Sequence, residues 1–254
     1  MRFSVSTLAP LSLALVCVGC GDFAGATGDQ GLLRFTLVTD YELPDNDLRD
    51  VTIVAGHEQR LDVDLTQDGA ASIDDPGALT YSIDAAGTVK EFEWGDDEPP
   101  DALITITEPG PVRLEALDET GAFVDGLDLE FDESTALELD VRVRAPWEDE
   151  LVPQDEGEVS NVTEGSQATF LPIPLDASGE RLAGDLEATA AVDPEWAVVP
   201  GASVGGVYEN GYWTLKGEIE FYFIEPGDVT VTVTDAVSGA DGTHDFSVEA
   251  VQKP

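Results

Sequence analysis

From Leu32 onward, apolar and polar residues alternate with a period of two, which predicts strands with one buried and one solvated face. In Leu137–Arg144, Leu137, Leu139, Val141 and Val143 share one face, while Glu138, Asp140, Arg142 and Arg144 share the other. Leu61, Val63 and Leu65 alternate with Asp62 and Asp64, and Leu127, Leu129 and Phe131 with Asp128 and Glu130. Further along, Ile219, Phe221 and Phe223 form one apolar face, and Val229, Val231 and Val233 alternate with threonines. Such strands belong to antiparallel sheets wetted on one side. Helical periodicity is nowhere sustained. Asp68-Gly69, Asn210-Gly211 and Ser238-Gly239 supply turn chemistry between the runs, and many short strands so punctuated predict all-β sandwiches. Asn210-Gly211, just ahead of Tyr212 and Trp213, is the sharpest hairpin signal.

The pattern repeats once when residues 51–144 are set beside 159–251. Ile106–Asp118 aligns with Phe223–Asp235 at a constant offset, each stretch carrying Glu-Pro-Gly before its strand. Gly56 corresponds to Gly165, Gly69 to Gly179 and Gly121 to Gly239. Between the copies, residues 145–158 hold two prolines and six acidic residues without alternation, which predicts a linker. The expected organisation is a signal over 1–19, a flexible tether over 20–31, a sandwich over 32–144, an acidic linker over 145–158 and a second sandwich over 159–251. Leu32–Val38, ahead of the first copy, reads as an additional strand of the first sheet.

In the second copy GSQATFLPIPLDASGERLAG (165–184) and EPGDVTVTVTDAVSG (225–239) resemble the bacterial immunoglobulin-like group. Its members open on a glycine five residues before a hydrophobic position and close on P-G-x-V-x-V-x-V-x-D. GHEQRLDVDLTQDG (56–69), Trp94 and ITEPGPVRLEALDETG (106–121) follow the same scheme in the first copy, and PKD-like and fibronectin-like sandwiches share it. The resemblance implies two antiparallel immunoglobulin-like β-sandwich domains in tandem. In exported bacterial proteins such domains serve as spacers, adhesion modules or carriers, a fold-level analogy that does not fix function.

The first twenty residues have the make-up of an export signal, with Arg2 ahead of an apolar run from Leu8 to Val18 that is too short for an ordinary membrane span. Cys17-Val18-Gly19-Cys20 resembles the lipobox of bacterial lipoprotein signals at its last three positions, with Cys17 where leucine is usual. The resemblance implies cleavage before Cys20, acylation of that cysteine and attachment to the cell envelope through a lipid anchor. Gly21 after it resembles outer-membrane sorting. A plain secretory signal leaving Cys20 free is the other reading.

Fifty-three acidic against eleven basic residues give a formal charge of −42. Nucleic acids and anionic lipid surfaces are excluded as partners, since their binding needs clustered Lys and Arg. Such a charge suits a surface kept soluble in high salt, or acidic loops that take up Ca²⁺ as the only cofactor implied. Candidate oxygen ligands are Asp96, Asp97, Glu98 and Asp101, and a second group of Asp40, Asp45, Asp47 and Asp50, neither with the spaced Asp-x-Asp-x-Asp-Gly loop. Asp155, Glu156 and Glu158 offer a third set that would stiffen the linker. The chain has only two histidines, His57 and His244, placed by the pattern at turns or strand ends, and no nucleophile elbow, zinc helix or phosphate loop, so no enzyme is expected. No cysteine follows Cys20, so packing must replace disulfides. Tyr208, Tyr212, Trp213 and Tyr222 fall near one hairpin and could form a face for a protein or carbohydrate, with Tyr212 and Trp213 the candidate binding residues. Trp94 and Trp196 read as core.

Overall fold

The computed structural model describes residues 22–39, 43, 47–66, 79–92, 99–148, 150–155, 157–200, 207–209, 212–216 and 219–251. The first nine strands are β1 (Asp22–Thr27), β2 (Leu33–Thr39), β3 (Thr52–Val54), β4 (Glu58–Leu65), β5 (Thr80–Ile83), β6 (Gly87–Phe92), β7 (Asp101–Ile106), β8 (Gly110–Leu117) and β9 (Phe123–Asp132). They form one sheet in the order β1-β2-β4-β7-β6 and a second in the order β3-β9-β8-β5. The remaining strands are β10 (Ala136–Arg144), β11 (Val152–Pro153), β12 (Ser160–Thr163), β13 (Gln167–Leu175), β14 (Glu187–Asp193), β15 (Val198–Pro200), β16 (Val207–Glu209), β17 (Tyr212–Lys216), β18 (Ile219–Phe223), β19 (Gly227–Asp235) and β20 (Asp241–Glu249). Their sheets run β11-β10-β13-β18-β15 and β12-β20-β19-β14-β17-β16. Among the described residues the only helical element is the 3-10 turn Glu195–Ala197.

The two halves repeat one topology. In each, the short strand opening the second sheet pairs in parallel with the last strand, β3 with β9 and β12 with β20. The other strand pairs are antiparallel, with β4–β7, β5–β8 and β8–β9 answered by β13–β18, β14–β19 and β19–β20. The first half places β2-β4-β7-β6 in one layer and β5-β8-β9 in the other, the four-plus-three division of an immunoglobulin-like sandwich. The chain is thus all-β, with two such sandwiches in tandem.

The repeat begins one strand earlier than periodicity suggests. Leu137–Arg144, read from the sequence as the end of the first copy, is β10, and it pairs with β13 over nine residues from Ala136↔Leu175 to Arg144↔Gln167. Its apolar face, Leu137, Leu139, Val141 and Val143, lies in the second core. It is the counterpart of β2, which pairs with β4 in the first sheet. Alternation shows which face of a strand is buried but not which neighbour it joins. Residues 145–158 accordingly connect two layers of one sandwich, as 40–51 do in the first, and β11 within them pairs back onto β10. The connection between sandwiches is Glu133–Thr135.

A second correction concerns the tether. Residues 22–27 form β1, paired antiparallel with β2 from Asp22↔Thr39 to Thr27↔Arg34. Ala24 and Ala26 are buried in the first core. Small residues alternating with small residues carry little hydrophobic signal, although alanine and glycine fit a close-packed edge. Trp196, expected in the core, is 63% exposed within the 3-10 turn, and Trp94 lies outside the described residues.

In the second core Phe170 meets Phe221 and Phe246 edge-on, with centroids 5.9 and 5.7 Å apart. Buried aromatics supply the inter-sheet contact that a disulfide gives in other sandwiches of this topology.

Candidate functional site

The densest polar chemistry among the described residues lies where the sandwiches meet. The turn after β3 brings His57 beneath the β19–β20 hairpin, where its Nε2 lies 2.8 Å from Asp235 Oδ1, both side chains buried. Its Nδ1 accepts the Glu187 backbone N–H at 3.2 Å, which assigns the ring proton to Nε2, and that nitrogen meets Asp235 as a close polar contact without hydrogen-bond alignment. Asp235 accepts from Ser238 Oγ at 2.6 Å and from the Val237 N–H at 3.0 Å. Burial opposes ionisation of Asp235, but the adjacent His57 ring and the bonds from Ser238 and Val237 win and hold its carboxyl below the usual range.

Two further devices lock the junction. Gln59 donates to the Asp185 carbonyl at 3.0 Å and accepts the Asp185 N–H at 2.8 Å, a reciprocal amide pair. The end of β3 forms a parallel bridge to the second sandwich, with Val54 N–H to Ala183 carbonyl and Ala183 N–H to Thr52 carbonyl both 2.8 Å. The apolar packing interlocks as well: Leu171, Ile173 and Ala183 belong to the first core and Val54 to the second. This explains why β13 is buried on both faces. The signal was present in Phe170-Leu171-Pro172-Ile173-Pro174-Leu175, apolar at both parities, which marks a strand covered on two sides. Pro172 and Pro174 lie beyond Phe170↔Ile219, the last pair β13 makes with β18, where a missing N–H costs that ladder nothing.

Two glycines make the close approach possible. Gly56 has φ +89°, and a Cβ there would lie 2.5 Å from Val237 Cγ1. Gly184, on the other side, has φ +109°, and its Cβ would overlap the Gln59 amide. Both need a conformation that L-residues rarely adopt and space that any side chain would fill.

The second histidine, His244, lies inside β20, with Nε2 2.8 Å from the Ser160 hydroxyl and its ring against Phe246. Serine beside imidazole is half of a nucleophilic set, but both residues are buried within the sandwich. Burial depresses the His244 pKa despite the nearby Asp245 charge, so the imidazole is held neutral.

Of the proposed metal ligands, Asp101 is buried at the start of β7. One carboxylate oxygen receives Arg60 at 2.7 Å and the other the Val63 N–H at 3.2 Å. Asp47 is exposed and accepts the Arg49 N–H at 3.0 Å in its own turn. Asp96, Asp97, Glu98 and Asp45 lie outside the described residues, as does Cys20. Among the described residues no three carboxylate, histidine or cysteine side chains converge on a possible cation position.

β16 and β17 pair antiparallel, with Glu209 opposite Tyr212 and Tyr208 opposite Trp213, and Asn210 and Gly211 between them lie outside the described residues. The Tyr212 and Trp213 side chains lie outside the described residues. Tyr222, grouped with them in the sequence, is on β18 in the opposite sheet.

On the outer face of β12, β20 and β19 lies an open concavity of about 560 Å³, lined by Val159, Asn161, Asp228, Thr230, Asp245 and Ser247 among others. Thr230 Oγ1 donates to Asp245 at 2.6 Å. These side chains offer hydrogen-bond donors and acceptors to a polar surface.

The sequence matches no family model and no curated protein. Among solved structures it is similar to domains 4 and 5 of the S-layer protein SbsC, with 14% identity over 80% of this chain and 95% of that one and a TM-score of 0.28. It is also similar to a C-terminal 282-residue fragment of intimin in complex with the intimin-binding domain of Tir, with 12% identity over 79% and 61% of the chains and a TM-score of 0.30. A third similarity is to SGBP-B of the Bacteroides ovatus mixed-linkage glucan utilization locus, in complex with a mixed-linkage heptasaccharide, with 11% identity over 86% and 54% and a TM-score of 0.31.

Proposed function

We propose that this protein is a lipid-anchored, non-catalytic component of the bacterial outer membrane that displays two immunoglobulin-like modules for adhesion or envelope interactions. The observation that carries this reading is the junction. A three-residue connection, a shared parallel bridge and cores that exchange side chains hold the modules in one arrangement. Fixed geometry favours presentation, because a surface ordered in advance loses less freedom when a partner docks. The polar concavity over β12, β20 and β19 is the face offered to a protein or carbohydrate partner. Acyl chains on Cys20 would provide the membrane attachment, and several chains hold far more stably than one.

The test is expression of the full chain in a Gram-negative host with a labelled fatty acid, beside Cys20→Ser. Label on the wild type but not the variant, with partition of the wild type into the detergent phase and sedimentation with outer membranes, is the expected result. An unlabelled, water-soluble wild type would overturn the anchor. Hydrolytic turnover of a surface polysaccharide by the purified protein would overturn the non-catalytic reading.

A further inference from the structure

Resting on the lipid-anchored reading above, we infer that the anchor attaches at the waist of the molecule, so that the two sandwiches lie along the bilayer instead of standing off it. The observation is the direction of β1. It runs antiparallel to β2, with Thr27 opposite Arg34 near the free tip of the first sandwich and Asp22 opposite Thr39 at the other end. The β2–β4 register passes through Leu33↔Leu65 and Leu37↔Leu61, and two residues further along it sets Thr39 level with Gln59. Gln59 bonds Asp185 across the junction. The chain therefore enters the fold beside the junction and not at the tip.

The free tip is fixed independently. Asp125, at the start of β9, is fully buried and accepts the backbone N–H groups of Gln30, Leu32 and Leu33 at 2.8, 2.9 and 2.9 Å, so the β1–β2 turn is clamped there. Nine to ten residues, the lengths of β19 and β9, span about 30 Å at 3.3 Å per residue. Each sandwich thus reaches at least that far from the junction. Cys20 is two residues from Asp22 and can lie no more than about 7 Å from it. Standing the molecule on its first tip would take about nine more residues of extended chain, and Asp22–Thr27 are committed to the sheet.

A waist attachment holds β1, the edge of the first sheet, nearest the lipid and keeps both tips at similar heights. The fitting surface is a zwitterionic one, since an acidic body of this charge is repelled by anionic headgroups.

The test uses the acylated, processed protein in phosphatidylcholine vesicles carrying an acceptor dye in the headgroup layer. With Cys20 acylated and Cys17 lost with the signal, Glu119→Cys at the free tip of the first sandwich and Glu225→Cys at that of the second each provide a single thiol for a donor dye. Both sites are exposed turns. Comparable energy transfer from the two positions, falling at both when a twenty-residue Gly-Ser segment is inserted between Gly21 and Asp22, is the expected result. Transfer at Glu119 several-fold above that at Glu225, with Cys20 acylated by mass spectrometry, overturns the waist attachment and leaves the anchor standing. A Cys20 without acyl chains overturns both.

Discussion

Nε2 of His57, in the first sandwich, lies 2.8 Å from Oδ1 of Asp235, in the second, with both side chains buried. Asp118 is the counterpart of Asp235 in the repeat and performs the same local task, accepting the N–H groups of Thr120 and Ala122 at 2.8 and 2.9 Å to close its hairpin. Asp118 closes a hairpin at a free tip, where the Thr120 hydroxyl at 2.7 Å and these amides lower its pKa without a partner from another domain. One side-chain type at one position thus caps a turn in one copy and joins two domains in the other.

Asp235→Ala should cost about 2 kcal/mol or more, since the buried His57 Nε2 loses the carboxylate beside it and the Val237 N–H and Ser238 hydroxyl lose their acceptor. Asp118→Ala should cost less, because water replaces the carboxylate at an exposed turn. Urea denaturation of both variants checks this. A cycle with His57→Ala isolates the coupling, and the two single losses should add to more than the double loss.

Gly56→Ala and Gly184→Ala should each destabilise by about 1 kcal/mol or more through the left-handed backbone alone, with the clash against the other sandwich added. Val237→Ala should recover part of the Gly56→Ala loss, by removing the methyl in the way, and none of the Gly184→Ala loss. Equal recovery in both would contradict the assignment of each glycine to its own contact. Thermal melting of the four variants provides the comparison.

Asp125→Ala should release the β1–β2 turn. The amides of Gln30, Leu32 and Leu33 all lose a carboxylate acceptor, so their hydrogen exchange should accelerate by at least tenfold while that of β19 and β20 changes little.

Stability should fall as pH drops from 7 toward 5. The buried imidazole of His244 has a folded pKa below its unfolded value near 6.5, so between the two the unfolded chain binds more protons and stability rises with pH. His244→Gln, which keeps a side-chain amide for Ser160, should flatten the pH dependence of the melting temperature in that window. An unchanged slope would assign it elsewhere. Asp235 acts lower, its contribution being complete above about pH 4 and lost as pH falls through its depressed folded pKa.

Strand identity and inward faces were legible because Leu139, Phe131, Phe221 and Val231 each sit in an unbroken two-residue period. The repeat was legible from Gly56 and Gly165, whose φ angles of +89° and +88° occupy the same turn. Partnership was not. Nothing in the alternation of Leu137–Arg144 distinguishes ending one sandwich from opening the next, since the choice is made by contacts with β13, thirty residues on. The junction was hidden for a related reason. His57, Gln59 and Asp185 are unremarkable singly, and their meaning comes from a meeting across 126 or more positions. β1 was missed because Ala24-Gly25-Ala26 has almost no polarity contrast, although the first core closes over it.

The parallel pairs β3–β9 and β12–β20 join an early strand of each sandwich to its last. A force that drives the two strands of such a pair in opposite senses along their length loads all of their hydrogen bonds together. An antiparallel hairpin pulled at its open end gives way one rung at a time. With no cysteine after Cys20, these hydrogen bonds are what fastens the early strand of each sandwich to its last.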